Sequence, residues 1–459
     1  MRKPKITVIG AGSASFGLTN LGAIMRTPEL AGSTLAFCDL NEEGLGLVTK
    51  LAERINREWD AGFKIEASTK AADVLKDSDF VVLSIAINRE KCWLEDHELG
   101  KKYGIMHYAE NAGPGGFFHA ARNISVIMPI LSDIERLAPD ALVLNFTNPL
   151  TRICTAAARY SKVKMVGICH QIEFGYMMIG RILADDLGLT GVNKDYLFRW
   201  QDRSSDQRAL ANAAIERVDM LAAGINHFTW MRSLRDRQTG EELLPLFKKR
   251  FLEQTEFEPY TRDLIRIFDE VPVSGDAHVL EYLPYTSNME RNGWGRYDIQ
   301  MYPLFAMDAG REDMWKTITK MANGEADISH LKNVHSERAE TMMAAVFYGQ
   351  DAYEMSVNIP NTNGLISNME RDAIIEVPAV MGFHGVTGLS FGALPPVAAE
   401  FCNRQKLIVD LTVKAIYEGD KNLAVQALAI DPMVDDLGIA GSIVEEGLEL
   451  NRKYLHTFR

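Results

Sequence analysis

The sequence has few cysteines, no long apolar run and a net negative charge. Its five cysteines are an odd number without disulfide-type spacing, which is typical of free thiols in a reducing compartment. Its apolar runs fall short of the roughly 18 residues that a membrane-spanning helix needs. A net charge of −13 disfavours binding to nucleic acid or anionic membranes. We therefore expect a cytoplasmic protein without nucleic-acid or membrane partners.

A short β-branched run, residues 5–9, leads directly into a glycine turn. The run predicts a buried parallel strand, and residues 18–25 predict a helix after it. Gly10 permits the tight turn, Gly12 lets backbone approach a pyrophosphate, and Ser13 opens the helix. Strand, glycine turn and helix in this order are typical of a dinucleotide-binding fingerprint.

This fingerprint lacks its third glycine, because Ser15 stands there, so a tight turn without a ligand is the alternative. The next predicted strand, residues 34–39, ends in Asp39, where a carboxylate can hold ribose hydroxyls. An acid at this position favours NAD over NADP. The alternative role for Asp39 is to cap the following helix.

Apolar strands alternate with helices through the first part of the chain, at residues 5–9, 34–39, 79–84, 141–145 and 163–168. This rhythm predicts the α/β class, with an N-terminal doubly wound, parallel, Rossmann-like sheet as in lactate and malate dehydrogenases. We expect an NAD-binding domain at 1–195. A mixed α+β substrate and metal domain should follow at 196–459 and pack against it.

Within that second part, residues 195–221 are helix-prone, 222–230 predict a loop entering a strand, and 328–348 predict a helix. Helices are also expected near 243–250, 260–269 and 396–428, with short strands at 356–359 and 373–377.

Polar residues follow three of the predicted strands, and strand ends of a parallel sheet bind ligands. Asn88, Asn148, Cys169 and His170 should therefore line one crevice. Asn226 and His227 form a second polar step. A thiolate and an imidazole from separate segments can supply part of a divalent-metal site, although a buried cysteine and a core histidine are the simpler interpretation.

Two further stretches concentrate reactive or flexible residues. The glycine-rich loop at 108–116 could cradle an anion or serve as a turn. Residues 273–284 cluster Asp276, His278 and Glu281, which could include a general base or form a surface turn.

Seven motifs, in order along the chain, resemble those of glycoside hydrolase family 4, the NAD- and divalent-metal-dependent glycosidases. They are VIGAGS at 8–13, GPGG at 113–116, NFTNP at 145–149, GICH at 167–170, GINHFTW at 224–230, SGDAH with EYLP at 274–284, and VNIPN at 357–361. The separated Cys–His and Asn–His pairs are the specific part, since lactate and malate dehydrogenases lack them.

The resemblance implies hydrolysis by a redox detour. NAD takes a hydride from C3 of the sugar, and the resulting ketone acidifies the C2 proton. A divalent metal, usually manganese, polarises the oxygens at C2 and C3. A base removes the C2 proton, the C1 leaving group departs by elimination, water adds, and the hydride returns.

Carried over to this sequence, the resemblance implies that Cys169 and His227 are the metal ligands and that Asp276 is the base. His170 resembles the position that assists the leaving group as an acid or hydrogen-bond donor. Three further residues are implied to contact the substrate: Glu110, Asn148 and Asn226. The sequence departs from the family at two places, since Glu110 is usually Asp and His119 stands where many members carry Arg.

The substrate class is inferred from the residues after the metal cysteine. Members acting on 6-phosphosugars typically carry Asp or Asn there, whereas this chain has His170 and Gln171. The motifs look most like the α-galacturonidase branch, which predicts an α-galacturonide; α-glucuronides and α-galactosides are alternatives. Arg122 and Arg152 are candidates to pair with a uronate carboxylate, or occupy surface or helix-end positions.

A plain NAD-dependent sugar or hydroxyacid dehydrogenase is the rival function, and it would release NADH. A non-catalytic NAD-binding sensor is a second rival, but it would not need both Cys169 and His227. We further expect a homo-oligomer, a dimer or tetramer, that acts on a small carbohydrate.

Overall fold

The structure, a computed structural model, describes residues 2–108, 110–199 and 205–458. Its strands, numbered along the chain, are β1 Lys5–Ile9, β2 Thr34–Cys38, β3 Lys64–Ser68, β4 Phe80–Leu83, β5 Leu142–Asn145, β6 Lys164–Gly167, β7 Val218–Ile225, β8 Phe228–Asp236, β9 Val271–Pro272, β10 Ala352–Pro360, β11 Ile374–Gly382 and β12 Gly385–Gly388.

The α-helices surround this sheet. They are α1 Ala14–Leu18, α2 Asn20–Arg26, α3 Glu42–Glu58, α4 Ala71–Leu75, α5 Arg89–Lys102, α6 Gly113–Leu137, α7 Leu150–Tyr160, α8 Ile172–Ile182, α9 Ser205–Arg217, α10 Leu244–Leu252, α11 Pro259–Phe268, α12 Asp276–Val279, α13 Gly293–Arg296, α14 Leu304–Asn323, α15 Ala339–Tyr348, α16 Pro396–Glu418, α17 Lys421–Ala429 and α18 Leu437–Leu450. Three short 3-10 helices lie at Pro28–Leu30, Leu280–Tyr282 and Ser329–Asn333. None of the described helices is long and apolar enough to cross a membrane.

All twelve strands belong to one sheet, in the order β3-β2-β1-β4-β5-β6-β10-β11-β7-β8-β9, with β12 paired to β11. The strands from β3 to β6 in this order are parallel and the rest pair antiparallel. This confirms the predicted fold class, because the parallel part with its crossover helices is the doubly wound arrangement.

Local sequence explains why these elements form. The central strands β1, β2, β4 and β5 are almost continuously apolar and buried, as expected for strands covered on both faces. Helix α3 buries residues at helical spacing, from Leu45 and Val48 to Ile55, against the sheet. The Asn41 side chain accepts a hydrogen bond from the Gly44 N–H and caps this helix at its start.

Several of the predicted elements were wrong. The single helix expected at 396–428 is two helices, α16 and α17, and the short strands expected at 356–359 and 373–377 are the nine-residue strands β10 and β11. Residues 222–230 are not a loop entering a strand but a hairpin in which β7 and β8 flank Asn226 and His227. In 195–221 the described helix is α9, and the chain enters β7 at Val218; residues 200–204 lie outside the described part. The predicted helix 328–348 is a 3-10 turn and α15, separated by an irregular segment. Strand β3 went unpredicted, because its edge position leaves it without an apolar pattern.

The sheet continues past the predicted domain boundary at residue 195. Gly167 of β6 pairs with Asn358 of β10, which joins the parallel strands to the antiparallel ones. Helices α16 and α18 return to pack on α5, α6 and α7 of the first part. The division into domains 1–195 and 196–459 stays a prediction.

Candidate active site

The glycine turn after β1 has no room for side chains. Gly10 has φ +93°, and a Cβ there would lie 1.9 Å from the Ser84 carbonyl oxygen. The Gly12 N–H donates a 2.8 Å hydrogen bond to Asp39 Oδ2, and a Cβ on Gly12 would lie 2.8 Å from Asp39 Cγ. Ser13 Oγ accepts from the Phe16 N–H and starts α1. The bare backbone and the carboxylate thus lie together at the ends of adjacent strands, as a dinucleotide site requires.

Asp39 also fulfils part of the alternative role predicted for it, which was to cap the following helix. Its Oδ1 accepts a 2.8 Å hydrogen bond from the Asn41 N–H. Asn41, not Asp39, caps α3 directly. Asp39 therefore braces both the glycine turn and the start of the next helix, and the NAD contacts of Gly10, Gly12, Ser13 and Asp39 stay predictions.

Cys169 and His227 come together at the carboxyl ends of β6 and β7. They are 58 residues apart in sequence, yet Cys169 Sγ lies 3.1 Å from His227 Nε2. His227 sits in the hairpin turn with φ 61°, a left-handed conformation that is uncommon for a residue other than glycine. The hairpin holds this strained residue in place and points its ring at the cysteine.

Burial sets the protonation of this pair. Burial raises the pKa of the Cys169 thiol well above its usual value, and the charge of Glu376 adds to the rise. Burial also lowers the pKa of His227 well below its usual value, and His278 and His170 add to that effect. The imidazole is therefore neutral, which metal ligation requires, and a metal would have to displace the thiol proton.

A set of polar contacts supports His227 from behind. Asn111 Nδ2 lies 3.0 Å from His227 Nδ1 and donates a 3.0 Å hydrogen bond to Glu281 Oε2. The Asn111 N–H donates to the other oxygen of this buried glutamate at 3.1 Å. The His278 ring lies with its centroid 4.4 Å from that of His227. Contacts of this kind orient a metal-ligating imidazole.

The sequence singled out the stretches that carry Asn111 and Glu281 but not these residues' roles. Each is one polar residue in a motif, and only the fold places them beside His227. No local pattern could have assigned them.

Glu376 supports the same site from the middle of the sheet. It is 2% exposed, and its carboxylate accepts hydrogen bonds from Ser356 Oγ at 2.7 Å, Asn226 Nδ2 at 2.8 Å and Asn358 Nδ2 at 3.2 Å. Three donors compensate much of the cost of burying a carboxylate. Burial nevertheless raises its pKa.

This glutamate lies in a row that crosses four strands. Gly167 of β6 pairs with Asn358 of β10, Asn358 with Glu376 of β11, and Glu376 with Gly224 of β7. The row lies two residues before Cys169 and three before His227. It therefore ties together the two segments that bring the thiol and the imidazole side by side.

The residues present fit a divalent cation. A thiolate and an imidazole suit a borderline metal and leave positions for substrate oxygens. In the described part of the structure, the buried Asn226 Oδ1, adjacent to His227 in sequence, has no hydrogen-bond partner. An unsatisfied buried oxygen beside two ligand atoms is what a cation or a substrate hydroxyl would satisfy.

Asn148 and Glu110, which are both predicted to contact the substrate, are hydrogen-bonded to each other. Asn148 follows β5, and its Nδ2 donates a hydrogen bond to Glu110 Oε1. The Asn148 carbonyl accepts a 2.6 Å hydrogen bond from Asn123 Nδ2. Burial raises the pKa of Glu110, and the nearby Arg89 and His278 offset part of this rise.

Glu110 opens onto a cavity of about 370 Å³, here called the aromatic recess. Its walls are Trp93, His97, Tyr108, Glu110, His278, Glu281, Met301, Tyr302 and Leu304. We call Cys169 and His227 the metal pair, after their predicted role. Because His278 and Glu281 also support His227, the recess extends from the metal pair toward Asn148.

His170 follows Cys169 and faces outward, with its side chain 58% exposed. Its Nδ1 lies 3.2 Å from Glu337 Oε1. The structure thus places an exchangeable nitrogen beside the metal pair and in contact with solvent, and its part as an acid stays a prediction.

Asp276 starts the short helix α12, and its carboxylate meets the N-terminus of α11. Its oxygens accept hydrogen bonds from the backbone N–H groups of Tyr260 at 2.8 Å and Thr261 at 2.6 Å. Glu258 accepts a 2.5 Å hydrogen bond from the Asp276 N–H. Burial raises the pKa of Asp276 to about 6 against these hydrogen bonds, and burial together with the Asp276 charge raises that of Glu258.

Both carboxyls border a second cavity of about 490 Å³, here called the acidic recess, which shares Tyr108 with the aromatic recess. The role of Asp276 as a base stays a prediction.

The two arginines considered for a uronate are both buried, so the surface alternative was wrong. Arg122 forms a 2.6 Å ion pair with Asp96 and donates to Asn451 Oδ1 at 2.8 Å. Arg152 donates to the Asn111 carbonyl oxygen. Arg122 is thus committed to a buried ion pair, and Arg152 to holding the loop that carries Asn111.

Comparison with known proteins places the chain in a family. The model described as family 4 glycosyl hydrolase matches residues 5–187, and the model of that family's C-terminal domain matches residues 222–434. An α-glucosidase of Erwinia rhapontici is 28% identical over 98% of this chain and 99% of its own. An α-galactosidase of Rhizobium meliloti is 26% identical over 94% and 84%. An α-galacturonidase of Thermoanaerobacter italicus is 25% identical over 98% and 97%.

Solved structures share the fold. A 6-phospho-α-glucosidase from gut microorganisms, in complex with NAD and Mn²⁺, superposes with a TM-score of 0.79 at 21% identity, covering both chains completely. A 6-phospho-β-glucosidase of Thermotoga maritima with manganese, NAD⁺ and glucose-6-phosphate gives 0.77 at 21% identity, over 98% of this chain and 99% of that one. With both family models matched, this chain belongs to glycosyl hydrolase family 4 and is a glycosidase.

Proposed function

We propose that the protein hydrolyses an α-linked, non-phosphorylated galacturonide by oxidation at C3, deprotonation at C2, elimination, water addition and return of the hydride to C3, with NAD and Mn²⁺ as cofactors. The observation that carries the proposal is the 3.1 Å approach of Cys169 Sγ to His227 Nε2 in a protein that also has a bare glycine turn braced by Asp39. Direct hydrolysis needs neither feature.

In this proposal the glycine turn binds NAD, with Asp39 on the ribose, and Cys169 with His227 binds Mn²⁺. When bound, NAD supplies a hydride acceptor and Mn²⁺ a Lewis acid. Asn226 Oδ1, buried and without a hydrogen-bond partner among the described residues, is available to a sugar hydroxyl or to the ion.

Asp276 takes the C2 proton onto its carboxylate. The N–H groups at the start of α11 favour the ionised form, whereas burial opposes it, which yields a pKa of about 6. A base with such a pKa is mostly ionised at neutral pH and still able to hold a proton.

The exposed His170 donates a hydrogen bond or proton to the leaving-group oxygen. Glu110 and Asn148, already bonded to each other, orient sugar hydroxyls at the mouth of the aromatic recess.

The α-linkage is supported by relatives named α-glucosidase, α-galactosidase and α-galacturonidase. The uronide is supported by the likeness of the GINHFTW, SGDAH and VNIPN motifs to the α-galacturonidase branch. An α-galactoside is the second candidate, because two of the relatives named above are an α-glucosidase and an α-galactosidase. An α-glucuronide is the alternative uronide.

The test is hydrolysis of 4-nitrophenyl α-D-galacturonide in D₂O with NAD, Mn²⁺ and a thiol reductant. We expect product with deuterium at C2 and no net NADH. Accumulation of NADH would instead indicate the dehydrogenase. Hydrolysis that proceeds without NAD and leaves C2 free of deuterium would contradict the mechanism.

A further inference from the structure

A half-buried arginine packs against two of the aromatic rings that line the aromatic recess. Arg89 is the first residue of α5, and its guanidinium carbon lies 4.3 Å from the centroid of the Trp93 ring and 5.8 Å from that of Tyr302. Both rings line the recess. Such cation–π contacts hold the cation in place but leave its in-plane N–H donors for an anion.

The carboxyl groups of Glu90 and Glu110 lie near enough to feel the Arg89 charge, but no described residue bonds to the guanidinium directly. Within residues 2–108, 110–199 and 205–458, Arg89 makes no hydrogen bond and no ion pair. Its neighbour Glu110 is bonded to Asn148 instead, and burial raises the pKa of Glu110. A cation beside a recess, held by aromatic rings and without a direct ion pair, favours a negatively charged ligand.

The wall around Arg89 carries further unsatisfied polar atoms. The His119 ring packs edge-on against Trp93, with centroids 5.3 Å apart. Both are at least 97% buried, and neither His119 Nδ1 nor Trp93 Nε1 has a hydrogen-bond partner in the described structure. Burial and three nearby arginines lower the pKa of His119 well below its usual value, so this ring is neutral and the positive charge of the wall belongs to Arg89.

We propose that Arg89 binds the C6 carboxylate of a uronide substrate in the aromatic recess, and thereby selects uronides over neutral sugars. The inference rests on the proposed α-glycosidase function. The planar guanidinium fork matches a carboxylate with two parallel hydrogen bonds. The rings that hold Arg89 line the same recess as Glu110, which is hydrogen-bonded to Asn148, whereas the cofactor's glycine turn lies at the ends of β1 and β2. The diphosphate of NAD is the other possible anion.

Two substitutions test the proposal. Arg89→Met keeps the stem beside Trp93 and removes the charge, and Arg89→Lys keeps the charge but not the fork. With saturating NAD and Mn²⁺, we expect Arg89→Met to lower kcat/KM for 4-nitrophenyl α-D-galacturonide about 10- to 100-fold, as for loss of a charged hydrogen bond. The loss for the α-galactoside should be much smaller, and Arg89→Lys should recover part of the uronide rate. Arg452→Met, on the surface, is the matched control.

Binding measurements separate the remaining outcomes. Isothermal titration of the NAD-loaded protein with D-galacturonate should give binding that Arg89→Met loses and Arg452→Met keeps. Equal losses for both glycosides, or weaker NAD binding with an unchanged ratio of the two sugars, would overturn the assignment. A wild type that cleaves only the galactoside and ignores galacturonate also overturns it but leaves the α-glycosidase intact. If the wild type cleaves neither glycoside, the proposed function fails, while galacturonate titration still decides the role of Arg89.

Discussion

The glycine turn and the metal pair are built at the carboxyl ends of one sheet by different means. Gly12 and Asp39 are 27 residues apart and follow neighbouring parallel strands, and one 2.8 Å hydrogen bond from the Gly12 N–H to the Asp39 carboxylate joins them. Cys169 and His227 follow strands that β10 and β11 separate in the sheet. Their contact depends on the buried row through Asn358 and Glu376.

This difference predicts two kinds of sensitivity. The turn is held by close backbone packing, so added volume should damage it more than a change of charge. The metal pair is held by hydrogen-bonded polar groups, so removal of a ligand atom or a charge should damage it most.

The largest effect should come from Cys169→Ser. A hydroxyl replaces the thiolate poorly as a metal ligand, so activity should fall well beyond the ~10–100-fold typical of losing an outer-shell contact. Assays across a Mn²⁺ titration check this. Cys92→Ser, a buried cysteine on α5 whose sulfur lies 3.9 Å from Tyr454 Oη, should retain activity. Full wild-type activity after exhaustive chelation would remove the metal from the mechanism.

The second-largest effect should come from Asp276→Asn, which should lower kcat about 10²–10⁴-fold if the carboxylate is the base. Since the pKa of Asp276 is raised to about 6 and the ionised form is the active one, wild-type activity should rise with pH through about 6. In pH–rate profiles, Asp276→Asn should no longer show this rise in activity. Asp269→Asn, at the exposed end of α11, serves as the control. Near wild-type turnover would shift the role to His278 or Tyr282.

Glu376→Gln should act next, through the metal rather than the substrate. Glutamine keeps the shape but removes the charge and one acceptor, so Mn²⁺ affinity should fall about 10–100-fold, as for other outer-shell changes. Titration calorimetry with Mn²⁺ measures it. Glu354→Gln is the control, because Glu354 is a buried glutamate of β10 that pairs with Arg338 rather than with Asn226 or Asn358. Equal loss of Mn²⁺ affinity in both variants would mean that general destabilisation is the cause.

The smallest effects should come from two glycines. Gly12→Ala puts a methyl group 2.8 Å from Asp39 Cγ, so NAD affinity should drop by about tenfold, or ~1.4 kcal/mol. Gly46→Ala, in the interior of α3 with no heavy atom near its Cβ position, should instead raise the free energy of unfolding by roughly 0.5–1 kcal/mol. NAD titration and urea unfolding give the two values. Unchanged NAD affinity in Gly12→Ala would place the cofactor elsewhere.

Local pattern sufficed for much of the fold. The strands β1, β2, β4 and β5 are largely buried apolar runs bounded by turns, so their length was visible in the sequence. Strand β3 was not predicted because it lies at the edge of the sheet, where its residues are partly exposed to solvent and form no apolar pattern. The hairpin around His227 was misjudged because a two-residue turn without glycine gives no turn signal.

The sequence by itself determined the glycine turn, the acid after β2 and the motifs of the family, because each lies within one or two neighbouring elements. Only the tertiary structure decided that Cys169 meets His227, that Asn111 and Glu376 support them, that Asp276 meets the N-terminus of α11, and that Arg89 stands without a counter-ion. These relations depend on the order β6-β10-β11-β7 and on helix packing. For Arg89 the missing partner is a direct ion pair among the described residues, since Glu90 and Glu110 still feel its charge. Contacts between residues 15 to 170 positions apart are set by strand register and burial, which no short stretch of sequence records.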